Sequence, residues 1–94
     1  MLKITLTTQF KKDYKRIVRR GYDANRLEIV MAILASNRKL PEKYRDHRLT
    51  NSRDFKDARE CHILPDWLLV YRIHDDTLIL ELMRTGSHAD IFGK

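Results

Sequence analysis

Cysteine is almost missing from this 94-residue chain. The one thiol, Cys61, forms no internal disulfide and by itself makes no zinc site, so the fold must hold by packing. Glycine is scarce as well. Three glycines leave no glycine-rich loop to cradle a phosphate, and no His-Glu-x-x-His or paired-cysteine spacing suggests a metal. No apolar run approaches the ~20 residues that cross a bilayer. Met1 to Thr7 is too short and too alternating to be a signal peptide, so the expected location is the cytoplasm, with no membrane partner.

Charge, by contrast, is abundant and uneven. Lys and Arg number 19 against 13 Asp and Glu, for a net +6. Residues 1–47 carry 12 basic and 5 acidic side chains, whereas residues 48–94 carry 7 and 8, so the halves stand at +7 and −1. A basic half predicts a polyanionic partner, nucleic acid or an acidic protein, through long-range attraction and counterion release. A merely solvated basic helix fits the composition equally well.

Periodicity supplies the architecture of a single domain over residues 1–94. Leu2, Ile4 and Leu6 alternate with Lys3, Thr5 and Thr7, the pattern of a half-buried strand. Thr7 or Thr8 then offers a helix cap. Phe10, Tyr14, Ile17 and Val18 recur at helical spacing until Gly21 stops the helix, and Asp23 caps a second one with Leu27, Val30, Met31 and Leu34 on its apolar stripe. Residues 38–57 hold Pro41 and no sustained period, which predicts a long loop with an irregular edge strand. Strands are expected over 58–63, 67–73 and 78–83, the last two forming a hairpin across Asp75-Asp76. The fold class is therefore α+β: a strand, an antiparallel two-helix hairpin and a mainly antiparallel sheet in two layers. The sheet's other face is expected to stand free beside the long loop, with the tail from Gly86 unassigned.

All four histidines, His47, His62, His74 and His88, lie in the second half. An imidazole titrates near pH 6.5, so two or three in one pocket can act as general acid and base, although a lone polar histidine usually does nothing chemical. Cys61 and His62 are neighbours in a strand and point to opposite faces, which argues against a Cys-His nucleophile and for Cys61 as a core residue.

Four segments together carry a resemblance: Tyr44-Arg45-Asp46-His47, Arg59-Glu60-Cys61-His62, Pro65 through Tyr71, and Arg84-Thr85-Gly86-Ser87-His88 with Phe92-Gly93. In order and spacing they resemble the YafQ branch of the RelE/ParE toxin superfamily, along the whole chain. The loop from Leu49 to Phe55 is longer than that branch's pattern. The resemblance implies a ribosome-dependent messenger RNA endonuclease, inhibited by a cognate antitoxin of the DinJ or RelB type, that reaches operator DNA only through the antitoxin. It implies no metal and no cofactor. It places catalysis on His47, His62, Asp66 and His88, and substrate binding on Arg84, Trp67 and Phe92. A tryptophan within an apolar strand is more often core than a platform for a base, whereas Phe92 lies in a polar tail.

Such a ribonuclease needs a base for the 2′-hydroxyl, an acid for the leaving 5′-oxygen and positive charge over the phosphate. The expected division gives the three histidines those duties, with Asp66 orienting an imidazole and Arg84 over the phosphate. Lys11, Lys12, Lys15, Arg16, Arg19 and Arg20 on the first helix are expected to lie along ribosomal RNA. The rival reading is a non-catalytic ParE-like toxin or an RNA- or protein-binding module on the same fold.

Overall fold

The computed structural model describes residues 1–50 and 53–93, so the Asn51-Ser52 part of the long loop lies outside the described residues. Strand β1 (Lys3–Leu6) leads into helix α1 (Thr8–Arg19) through Thr7, whose Oγ1 accepts the Phe10 amide at 3.0 Å and so caps the helix. The same hydroxyl donates to the Met83 carbonyl at 2.8 Å, fixing the start of α1 to the sheet. Gly21, at φ +87°, turns the chain after α1, and the Asp23 carboxylate caps α2 (Ala24–Ala35) by accepting from the Asn25 amide.

The region expected to be a loop holds a short 3₁₀ turn (Glu42–Tyr44) and a two-residue edge strand β2 (His47–Arg48). Strands β3 (Arg59–Leu64), β4 (Trp67–His74) and β5 (Ile79–Gly86) follow. The sheet order is β1-β5-β4-β3-β2, with β1 parallel to β5 and every other pairing antiparallel. This is the α+β class that the periodicity predicts.

One face of the sheet packs against α1 and α2. Leu69, Tyr71, Leu80, Leu82, Cys61 and Ile63 meet Phe10, Ile17, Leu27, Val30 and Leu34 in the main core. The other face is not free, as the sequence suggested. It carries a second, smaller cluster in which Leu68, Val70 and Ala58 are covered by Ile91, Leu49, Phe55 and Met83. Ile91 belongs to α3 (His88–Phe92), the segment left unassigned above. Five residues are too few for a stable helix by propensity alone. Here Ser87 and Asp90 form a reciprocal capping box and Gly93 closes the end at φ +75°, so both termini are satisfied.

Candidate active site

Strand alternation decides which side chains share the second face. Glu60 lies opposite His47 in the β2–β3 ladder, and His62 lies opposite Leu68 in the β3–β4 ladder. Since Leu68 faces away from the helices, Glu60, His62 and His47 do too. Asp46, one residue earlier, points the other way. It accepts from Arg59 Nε at 3.2 Å and from the Tyr71 hydroxyl at 2.6 Å, and these bonds anchor the segment that presents His47.

Helix α3 brings the third imidazole. The His47 and His62 ring centroids are 6.1 Å apart and those of His62 and His88 are 5.8 Å apart, so the three rings form a row with His62 in the middle. The outer two are open, with side chains 50% and 47% exposed. His62 is 16% exposed.

Each ring is oriented by an acceptor. His47 Nδ1 donates to the Arg45 carbonyl at 2.8 Å, where Arg45 takes a left-handed conformation at φ +49°. His62 has an acceptor on both sides, the Pro65 carbonyl 3.3 Å from Nδ1 and the Glu60 carboxylate 3.4 Å from Nε2. His88 is held twice by Asp66 Oδ1, through its amide at 3.0 Å and through Nδ1 at 2.6 Å. Those bonds, the backbone one first, draw the Asp66 carboxyl below its usual range. They also leave His88 Nε2 as the nitrogen turned outward.

Glu60 went unassigned in the sequence. It is 5% exposed, with its carboxylate 3.4 Å from His62 and 3.9 Å from His47. Its signal was present in the i, i+2 spacing to His62, which puts two residues of one strand on one face. A buried carboxylate between two imidazoles supplies the negative charge that their protonated forms need.

Two residues expected to contact substrate are engaged within the fold. Trp67 is 2% exposed; its indole N–H donates to Thr85 Oγ1 at 2.9 Å and its ring meets Tyr22 edge-on, so no face is open to a base. Arg84 does not stand free over a phosphate. Its Nε and one terminal nitrogen donate to the fully buried Asp13 at 2.7 and 3.2 Å, and the latter nitrogen also reaches the Asp90 carbonyl. The reason is shared: a large apolar ring and a guanidinium that has a buried carboxylate partner are both better satisfied inside. Phe92 is 38% exposed and packs edge-on against Phe55, leaving ring surface open.

The remaining candidates divide. On α1, Lys11, Lys12, Lys15 and Arg19 are exposed, but Arg16 bonds Asp13 and Arg20 bonds Asp90 through both terminal nitrogens at 2.7 and 3.1 Å. His74 stands apart, bonded to Glu81. Cys61 is fully buried, and burial pushes its thiol far up, as befits a core residue. Among the described residues, no group of three or more His, Cys, Asp or Glu side chains is placed to hold a metal ion.

The sequence of residues 2–93 matches the family described as "Bacterial toxin of type II toxin-antitoxin system, YafQ". The chain belongs to the YafQ toxin family. A relative in this family, the mRNA interferase toxin YafQ of Escherichia coli strain B/BL21-DE3, is 42% identical over 91 residues, 96% of this chain and 95% of its own. Among solved structures, a metal-bound toxin from Helicobacter pylori superposes with a TM-score of 0.91 at 43% identity, covering 98% of this chain and all of the other. The E. coli DinJ-YafQ complex superposes with a TM-score of 0.88 at 39% identity, covering 99% of this chain and all of the matched one. The YafQ fold therefore extends over the row of imidazoles and both of its carboxylates.

Proposed function

We propose that this YafQ-family chain is the toxin of a type II pair: an endoribonuclease that cuts messenger RNA on the ribosome, in the cytoplasm, and is restrained by a DinJ-type antitoxin. The observation that carries this reading is the row of three imidazoles, backed by Glu60 and Asp66, on one face of the sheet. Relatives named mRNA interferase toxin YafQ and a solved DinJ-YafQ complex support it.

RNA carries its own nucleophile. The 2′-oxygen attacks the adjacent phosphorus as its proton leaves, and the P–O5′ bond breaks as the 5′-oxygen gains a proton, giving a 2′,3′-cyclic phosphate and a free 5′-hydroxyl. In-line attack puts the proton acceptor and the proton donor on opposite sides of the phosphorus. The two outer, solvent-open imidazoles, His47 and His88, suit those duties. The central His62, held between Glu60 and the Pro65 carbonyl, faces the phosphate and donates to its oxygens. Asp66 holds His88 so that Nε2 is the nitrogen that exchanges a proton.

The test is induced expression of the wild type and of His88→Ala in a bacterial host, with primer extension on host transcripts. New, translation-dependent cuts that the variant loses are the expected result. Growth arrest without cuts, equal in both, would establish instead the non-catalytic ParE-like reading.

A further inference from the structure

Beside the imidazole row lies an open cleft of about 430 Å³, within the roughly 300–1,000 Å³ range of small-ligand sites. His62 forms part of its wall. Arg26 from α2 stands on one side, Lys43 and Tyr44 from the 3₁₀ turn with Arg45 just after it on the other, and Leu64 supplies an apolar floor. Among its described lining residues none is acidic. Arg26, Lys43 and Arg45 are exposed and Leu64 is 41% exposed, so the cleft presents cations and an apolar patch to solvent together. The Lys43 ammonium sits 5.1 Å from the Tyr44 ring centroid, which holds a positive charge against an aromatic edge of the cleft.

We propose that this cleft is a nucleotide subsite: it takes the base and phosphate next to the scissile bond on the His62 side, with Arg26, Lys43 and Arg45 on phosphate and Tyr44 with Leu64 against the base. The inference rests on the ribonuclease reading above. The composition favours RNA over an apolar protein helix, because three cations beside a small apolar floor match a phosphodiester carrying a base. The placement gives the cleft a task that the imidazoles cannot perform. A row of three rings sets where the bond breaks but offers little surface to hold the strand, and orientation of the substrate is itself a large part of a rate enhancement. The cations come from α2 and the 3₁₀ turn, elements separate from the basic row on α1. The α1 row would serve the ribosome and the cleft the transcript.

The experiment titrates the wild type, Arg26→Ala/Lys43→Ala, Tyr44→Ala and His88→Ala with a single-stranded RNA trinucleotide blocked by 2′-O-methyl groups. Backbone amide shifts are followed by NMR, and each variant is also assayed for cleavage in a translating extract. In the wild type, shifts centred on residues 26, 43–45 and 62–64 are expected. The double variant should bind at least tenfold more weakly, with its salt slope shallower by roughly 0.7 for each cation removed. Tyr44→Ala should lose about 5- to 150-fold, the range for one stacked base. His88→Ala should bind as the wild type does and fail to cut. No shift in the cleft at millimolar trinucleotide, or shifts confined to α1, overturns the subsite. Variants that bind the trinucleotide normally but lose the purified antitoxin make the cleft an antitoxin site and also overturn it. A wild type that binds the trinucleotide in the cleft but cuts no transcript would bring down the ribonuclease reading, and the subsite of a scissile bond with it, and leave the cleft a nucleotide-binding site only.

Discussion

A single oxygen of Asp66, Oδ1, accepts both the backbone amide and the ring Nδ1–H of His88, at 3.0 and 2.6 Å. The first bond fixes where α3 begins and the second fixes how the ring is turned. Both partners are exposed, so the pair adds little to stability and much to orientation. Asp66→Ala should therefore slow cleavage tenfold or more while leaving the stability of the fold nearly unchanged. His88→Ala should cost more, roughly 10²- to 10⁴-fold, as expected when a proton-transfer group is removed. Single-turnover cleavage with a parallel thermal melt separates the two. Full activity in Asp66→Ala would remove the orienting role. Because the Asp66 carboxyl is held below its ordinary 3.8, it stays ionised as pH falls towards 4, and a loss of rate beginning above that pH belongs to other groups.

Arg84 and Asp13 give a contrasting prediction, in which stability moves first. Asp13 has no exposed surface, and besides Arg84 its carboxylate accepts from Arg16, Gln9 and the Thr85 amide. The Thr85 bond lies on β5 beyond its ladder with β1, which ends at Leu82. Removing one member of a buried pair leaves the other charge uncompensated and costs about 3–5 kcal/mol. Asp13→Ala should lower the unfolding free energy by that order, and Arg84→Ala by a smaller amount, because Arg16, Gln9 and the Thr85 amide still answer the Asp13 carboxylate. Arg84→Lys should recover only part of it, because an ammonium cannot make the two-pronged contact. An unchanged midpoint in Arg84→Ala together with lost cleavage would return Arg84 to the phosphate.

Periodicity made most of the fold legible. The strand of Leu2, Ile4 and Leu6 and the two capped helices follow from local spacing, and the β4–β5 hairpin follows from alternation around Asp75-Asp76. Helix α3 was not legible because its stability is not periodic: it depends on one capping box, one glycine and one buried side chain, Ile91. With α3 unseen, the second face of the sheet was expected to stand open. The order of the motifs picked out the three histidines that converge, His47, His62 and His88, and set aside His74. What the chain could not show is which polar residues find buried partners. Trp67 meeting Thr85, and Arg84 meeting Asp13, are contacts across 18 and 71 positions that no local pattern encodes.

Asp90 links α3 to α1 and makes that junction sensitive to acid. Its carboxylate takes two bonds from Arg20 and one from the Ser87 amide, and these, Arg20 foremost, hold its carboxyl far below the ordinary range. A carboxyl depressed in the folded state stabilises at pH values above its unfolded pKa near 3.9, and that contribution drains away as pH falls below it. Stability measured from pH 7 down to pH 2 should therefore drop more steeply below pH 4 in the wild type than in Asp90→Asn. At neutral pH the variant should lose on the order of 1 kcal/mol, through the cap and the ion pair together. Parallel curves for the two proteins would show that Asp90 is not the acid-sensitive link.

The basic helix yields a prediction that depends on which of its cations are free. Lys11, Lys15 and Arg19 follow four-residue spacing along one exposed row, with Lys12 beside it, whereas Arg16 and Arg20 are committed to Asp13 and Asp90. Four free cations on RNA release counterions as they bind, so the logarithm of ribosome affinity should fall against that of salt with a slope between about −3 and −4. Replacing Lys11, Lys15 and Arg19 with glutamine should flatten that slope by at least half. The chemistry of the row of imidazoles should survive the change, since none of the three touches it. Replacing Arg20 alone should leave the slope nearly unchanged and weaken the hold on α3 instead, because its charge is already answered by Asp90. Ribosome association measured across a salt series decides the matter. A slope that does not respond to the triple replacement, or one that responds most to Arg20, would place the ribosome on another surface of this toxin.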